Sequence, residues 1–137
     1  MSVRKSERGL SNIEFLKVLM DLEKWSLLKS NIAPKKYRYI INSQIVTNSA
    51  NAYCYAKQGN SIFVTNNETR ILRENFFIQS YCSLQAFVSQ LDVIYSICKA
   101  DFLTNNELEE VSRLAYNAII LVKGIIKNDK ERYKKYK

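Results

Sequence analysis

Basic and aromatic residues alternate in two stretches of this chain. Residues 33–40 read APKKYRYI, and residues 132–137 read RYKKYK. A cationic side chain pairs with a phosphate and a tyrosine ring stacks on an unpaired base, so Lys35, Lys36, Arg38 and Tyr39 are candidate contacts to nucleic acid or to an acidic partner. In the tail, Arg132, Lys134 and Lys135 are candidates of the same kind. Binding of this sort gains affinity by counterion release, and is therefore salt-dependent and indifferent to sequence. APKKYRYI also reads as a helix start, because Pro34 has no N–H to leave unpaired and its fixed φ suits a first turn. A helix there turns Tyr37 and Ile41 inward and leaves Lys35, Lys36, Arg38 and Tyr39 outside. Cations near a helix N-terminus oppose the macrodipole, which suggests a use other than helix stability. The bland reading, a solvated basic turn with no partner, stands beside it.

Other chemistry finds little material. The chain has no histidine, no G-x-S-x-G elbow, no glycine-rich phosphate loop and no H-E-x-x-H pair. Glu109 and Glu110 are adjacent acids, but in the first turns of a helix their charge favours the dipole. Carboxylate metal sites in helical bundles use Glu-x-x-His pairs, which this chain cannot supply. Cys54, Cys82 and Cys98 are odd in number and widely spaced, which suits reduced, buried thiols in a cytoplasmic protein better than zinc ligands. No enzyme activity, cofactor or metal is expected.

The 137 residues are 47% hydrophobic and 25% charged, the composition of one globular domain. Twenty-one basic residues against 13 acidic ones give a formal charge of +8, which favours a polyanionic partner: nucleic acid, an acidic protein or an anionic membrane. The N-terminal MSVRKSERGL lacks an apolar export core, and no apolar run is long enough to span a bilayer. A soluble, cytoplasmic chain is expected. A membrane-surface role is weaker, since no helix pairs a basic face with exposed Trp and Phe.

Long helices must position these residues, because only three glycines and one proline interrupt the chain. TNNE occurs at residues 65–68 and again at 104–107, each with the spacing of a capping box in which Thr is the N-cap and Glu reaches back from N3. Pro34 marks a third start, and Ser11 with Glu14 a fourth. Apolar residues recur with helical period at Leu84, Phe87, Val88, Leu91, Ile94 and Cys98, and at Leu108, Val111, Ala115, Ala118, Val122 and Ile125. A looser stripe runs through Ile13, Leu16, Leu19, Met20 and Leu27, and Tyr37, Ile41, Ile45, Ala52 and Tyr55 mark the remaining helix. These signals predict helices over 11–31, 34–59, 66–100 and 104–128. Short connections leave only antiparallel neighbours, so the expected fold is all-α: a single-domain, up-down-up-down four-helix bundle. Gly59 would close the second helix in the left-handed conformation.

This topology sorts the charges. Arg4, Lys5, Arg8, Lys57, Arg70, Arg73, Lys123, Lys127, Lys130, Arg132, Lys134, Lys135 and Lys137 collect at the end holding the termini. Lys29, Lys35, Lys36, Arg38 and Lys99 share the other end with Asp101, Glu107, Glu109 and Glu110. Lys29, Arg70, Arg73, Lys123 and Lys127 thus join the candidate contacts. The tail KNDKERYKKYK carries no apolar stripe and is expected to fray into a basic arm. Asn42, Ser43, Gln44, Thr47, Asn48, Ser49 and Asn51 make the second helix unusually polar, which suits a solvated face, a subunit interface or an RNA-facing surface.

A first helix, a short loop into P-K-x-x-R-Y (Pro34, Lys35, Arg38, Tyr39) and three further helices of these lengths resemble a four-helix-bundle family with two groups. One is the accessory variability determinant of diversity-generating retroelements. The other comprises proteins encoded in intervening sequences of large-subunit ribosomal RNA genes. The similarity covers residues 11–128, with the short P-K-x-x-R-Y motif as its sharpest part. It implies a homopentameric ring of bundles with a basic, funnel-like surface. For the retroelement group it also implies binding to the element's reverse transcriptase and template RNA in support of error-prone copying, with no active site of its own. The intervening-sequence group implies instead a self-assembling structural or interaction protein.

Overall fold

The computed structural model describes residues 5–98 and 102–136, with side-chain surroundings from residue 14 onward. Arg4, Lys99, Asp101 and Lys137 lie outside the described residues, as do the side chains of Lys5, Arg8, Ser11 and Ile13. Among the described residues every regular element is helical: α1 (Lys5–Ile32), α2 (Lys35–Ile40), a π-helical segment (Ile41–Val46), α3 (Thr47–Asn60), α4 (Asn67–Cys98), α5 (Asn105–Arg132) and a closing 3₁₀ turn (Lys134–Tyr136). The junction residues Ile41 (φ −62°, ψ −46°) and Thr47 (φ −60°, ψ −46°) keep helical dihedrals, so α2, the π segment and α3 form one continuous rod. Four helices result.

The core forms where the apolar stripes face one another. Phe15, Leu19 and Leu22 of α1 meet Ile41, Ile45, Ala52 and Ala56 of the second rod, Phe77, Leu84, Phe87 and Leu91 of α4, and Val111, Ala115, Ala118 and Val122 of α5. The stripes expected on α4 and α5 are the ones buried, with Val88, Leu108 and Ile125 half-buried at their margins. On α1 the buried face is rotated from the expected one. Met20 and Leu27 are exposed, while Ser26 and Lys29 continue the stripe begun by Phe15, Leu19 and Leu22. Polar residues can occupy a core stripe when their partners are supplied. Ser26 donates to the Leu22 carbonyl at 2.8 Å, and the Lys29 ammonium is paired with Glu107.

The second rod holds a feature the 3.6-residue period does not suggest. Tyr37, Ile41, Ile45 and Ser49 are spaced strictly by four, a pattern that drifts around an α-helix. The wider π turn absorbs that drift and keeps Ile41, Ile45 and Ser49 buried on one face. Its polar residues spend their hydrogen bonds on the local backbone: Thr47 Oγ1 donates to the Asn42 carbonyl at 2.9 Å, Ser49 Oγ to the Val46 carbonyl at 2.9 Å, and Asn48 to that of Gln44. Below it, Ser49, Ala52, Ala56 and Gly59 let α3 approach α4 closely, and Ser80 Oγ donates to the Ala52 carbonyl at 2.7 Å. Gly59 does not end the helix in a left-handed turn. It lies inside α3, where a Cβ would come within 3.1 Å of the Phe77 ring, so close packing is what it serves.

Three further expectations are corrected. Ser11 lies within α1, not at its start. The first TNNE is capped one residue later than its twin: Asn66 Oδ1 accepts from the Thr69 N–H at 2.9 Å, and Thr69 Oγ1 accepts from the Asn66 N–H at 3.1 Å. Asn is as good an N-cap as Thr, and Thr69 supplies the return bond that Glu68 was expected to make. The second TNNE forms the full box, with Glu107 N–H donating to Thr104 Oγ1 at 3.2 Å. Of the cysteines, Cys98 is buried as expected, but Cys54 and Cys82 are exposed.

Candidate nucleic-acid interface

The start of the second rod divides its residues as the sequence suggests. Pro34 caps α2, and Tyr37 N–H donates to its carbonyl at 2.9 Å. Tyr37 is half-buried and stacks on Phe102, with ring centroids 5.4 Å apart. Lys35, Lys36 and Arg38 are exposed, and Tyr39 is 80% exposed. Lys36 Nζ lies 4.9 Å from the Tyr37 centroid, and Arg38 donates to the Ala33 carbonyl at 3.1 Å. Lys35, Lys36, Arg38 and Tyr39 therefore form a small basic-aromatic corner around the α1–α2 turn.

Two of the candidate cations lie elsewhere than a surface role requires. Lys29 is only 6% exposed; its ammonium is bound to Glu107 and lies 5.8 Å from the centroid of Phe102. Its hydrogen bond holds the Glu107 carboxyl below the usual glutamate range, against the opposing effect of burial, and bonds from Thr104 lower it further. Arg73 is also buried. Its Nε donates to Asp129 at 2.6 Å, another guanidinium nitrogen donates to the Gly59 carbonyl at 3.3 Å, and its plane packs 4.9 Å from Phe77. A buried cation needs such partners because desolvation penalises it otherwise. Lys29 and Arg73 are struts, and a sequence pattern alone does not distinguish a strut from a contact.

Arg73 nonetheless locates the basic end. It touches the end of α3 through Gly59 and the end of α5 through Asp129, and its guanidinium lies 5.8 Å from the Tyr133 ring. These contacts correct the expectation of a frayed tail. Helix α5 continues to Arg132 because Asp129 and Tyr133 are tied onto α4. Around this junction Lys57, Lys123, Lys127, Lys130, Arg132, Lys134 and Lys135 are exposed. Arg70 is half-buried, engaged with Asn67 at 2.7 Å and Glu74 at 3.3 Å. Glu131 lies 3.5 Å from Lys134, a fully solvated pair of small energetic weight. Several cations lie against rings: Lys57 on Tyr53, Lys123 on Tyr81, Arg132 on Tyr133 and Lys135 on Tyr136, at 5.0–5.9 Å.

The outer face of α5 adds Arg113, Tyr116 and Ile120, which sequence reasoning overlooked, to the candidates Lys123 and Lys127. Arg113, Tyr116, Ile120, Lys123 and Lys127 are exposed and follow one another by three or four residues, with Glu109 and Glu131 at the two ends. Tyr116 is 55% and Ile120 67% exposed. Their signal in the sequence is the complement of the core stripe of α5. Arg113, Tyr116 and Ile120 of this face line a groove together with Trp25 of α1 and Glu110, Val111, Leu114 and Asn117 of α5. Among the described residues no cluster of His, Cys, Asp and Glu is arranged to hold a metal ion. Among them, too, no helix is long and apolar enough to cross a membrane.

No family model matches this chain, and neither the curated proteins nor the solved structures searched contain a match to it.

Proposed function

We propose that the chain is a non-enzymatic, cytoplasmic accessory protein of a diversity-generating retroelement, binding the reverse transcriptase and its template RNA through basic surfaces. One observation carries the reading. Exposed Lys57 lies in the last turn of α3 and exposed Lys127, Lys130, Arg132 and Lys135 lie in and after the last turns of α5, the two helix ends that Arg73 of α4 bonds through Gly59 and Asp129, while Asp129 and Glu74 are already paired with Arg73 and Arg70. A second exposed group, Lys35, Lys36, Arg38 and Tyr39, occupies the α1–α2 turn. The up-down-up-down order is supported by the ion pairs. Lys29 joins the last turn of α1 to the first turn of α5, and Arg73 joins the start of α4 to the end of α5.

Co-purification with the reverse transcriptase encoded beside the gene, and binding of template RNA, test this reading. Replacing Lys127, Lys130 and Arg132 together by Gln should weaken RNA binding without altering the helical circular dichroism spectrum. Unchanged RNA affinity in that variant would remove the support.

A second reading, a self-assembling protein of the ribosomal intervening-sequence kind, draws on Leu28 (66% exposed), Ile32 (68%) and Phe63 (83%). Apolar groups this open favour burial between copies. A homopentamer belongs to both readings, and sedimentation equilibrium measures it. A gene lying inside a ribosomal RNA gene would favour the second.

A further inference from the structure

We infer that the outer face of α5 formed by Arg113, Tyr116, Ile120, Lys123 and Lys127, with Gly124 toward its C-terminal end, is a seat for single-stranded nucleic acid. This inference rests on the nucleic-acid part of the reading above and specifies the strand state and the place. The face runs about 21 Å from Arg113 to Lys127 at the helical rise, enough for several nucleotides of an extended strand. Arg113 stands toward one end and Lys123 and Lys127 toward the other, with Glu109 and Glu131 one turn beyond them, and an aromatic and an aliphatic side chain, both more than half exposed, occupy the middle. A duplex offers a polar, phosphate-lined exterior that leaves Tyr116 and Ile120 without apolar contact. Unpaired bases have faces that cover such side chains while their phosphates reach the flanking cations. A second copy of this chain fits less well, because its own charge of +8 opposes docking on Arg113, Lys123 and Lys127.

Gly124 is an independent observation. Glycine inside a helix is less favourable than alanine, and at Gly59 close packing against Phe77 explains the choice. At Gly124, apart from its chain neighbours and the backbone of its own helical turns, nothing among the described residues comes within 4 Å of where a Cβ would sit. The missing side chain serves no contact inside the molecule, and it leaves backbone open for close approach between Lys123 and Lys127. Lys123 also lies 5.9 Å from the ring of Tyr81 on α4, which extends the basic-aromatic surface sideways.

Fluorescence anisotropy of the full chain, with a labelled oligouridine strand and an RNA duplex of equal length at low salt, tests the assignment. The single strand should bind more tightly than the duplex. Tyr116→Ala should weaken single-strand binding about tenfold and Tyr116→Phe should retain it, as a stacking contact requires. Gly124→Ala should raise the melting temperature and yet weaken single-strand binding severalfold, with duplex binding little changed by any of the three. Equal binding of both forms, or Tyr116→Ala and Gly124→Ala variants that bind the single strand as the parent does, would overturn the inference and leave general nucleic-acid binding standing. Variants that alter the oligomeric mass and not the affinity would reassign the face to self-association. Absence of binding to either form by the parent chain would overturn the broader reading as well.

Discussion

At the scale of single residues, similar cations carry different functions according to what surrounds them. Arg73 and Lys29 are held inside by carboxylates and rings, whereas Lys127 and Lys35 are open to water. Arg73→Ala leaves Asp129 largely buried without its partner and frees the Gly59 carbonyl, so it should cost about 3–5 kcal/mol in urea unfolding. Lys127→Ala, by contrast, should leave stability within about 0.5 kcal/mol of the parent. Glu107 adds a dependence on pH. Its carboxyl titrates lower in the folded protein than in the unfolded chain. Its contribution is therefore fully present above the ordinary glutamate pKa of about 4.3 and is lost as pH falls through the lower folded value. Denaturation midpoints measured from pH 7 down to pH 3 should fall more steeply for the parent than for Glu107→Gln.

At the scale of elements, caps and close approaches set the helix ends and spacings. Thr104→Ala and Asn66→Ala should each cost about 1 kcal/mol, while Thr65→Ala costs little, because Asn66 and not Thr65 supplies the capping oxygen of α4. Equilibrium denaturation of the three variants checks the assignment. Gly59→Ala should destabilise by about 1–3 kcal/mol despite alanine's better helix propensity, since the new methyl meets the Phe77 ring. The stripes of α4 from Leu84 to Cys98 and of α5 from Leu108 to Ile125 were legible in the sequence because their apolar residues recur at helical spacing, whereas Arg73 and Ser80, which continue the buried face of α4 toward its start, are polar and gave no such signal. The face of α1 was misread because Ser26 and Lys29 sit in its buried stripe, and only distant partners make that tolerable. The twin TNNE strings were indistinguishable in sequence; Thr69, present after one and absent after the other, shifts the first cap by a residue. The π segment was visible only as a strict four-residue spacing in Tyr37, Ile41, Ile45 and Ser49, a weak cue beside so many polar neighbours.

At the scale of the whole molecule, opposite ends of α5 are fastened differently, Glu107 to α1 and Asp129 to α4. The second fastening extends α5 through the tail and brings its cations beside those of α3 and α4. Helix order alone leads to the expectation of charge gathering at that end, because the lengths and short connections constrain which ends meet. Which cations stay free was not legible, since Arg73 finds its carboxylate 56 positions away in sequence. The side chains of Lys35, Lys36 and Arg38 are exposed and touch the core only at its edge, through the Ala33 carbonyl and the Tyr37 ring, so replacing all three by Ala should change the melting temperature little while weakening RNA or partner binding. If that variant unfolded, the corner would be structural.

The central claim is that the exposed cations bind the phosphates of RNA, and its most direct test is the affinity for single-stranded RNA as salt is raised. Six or more neutralised phosphates should lower the association constant by about a hundredfold to a thousandfold or more between 50 and 200 mM salt. An affinity that does not change over that range, or no measurable binding at its lower end, would contradict the account.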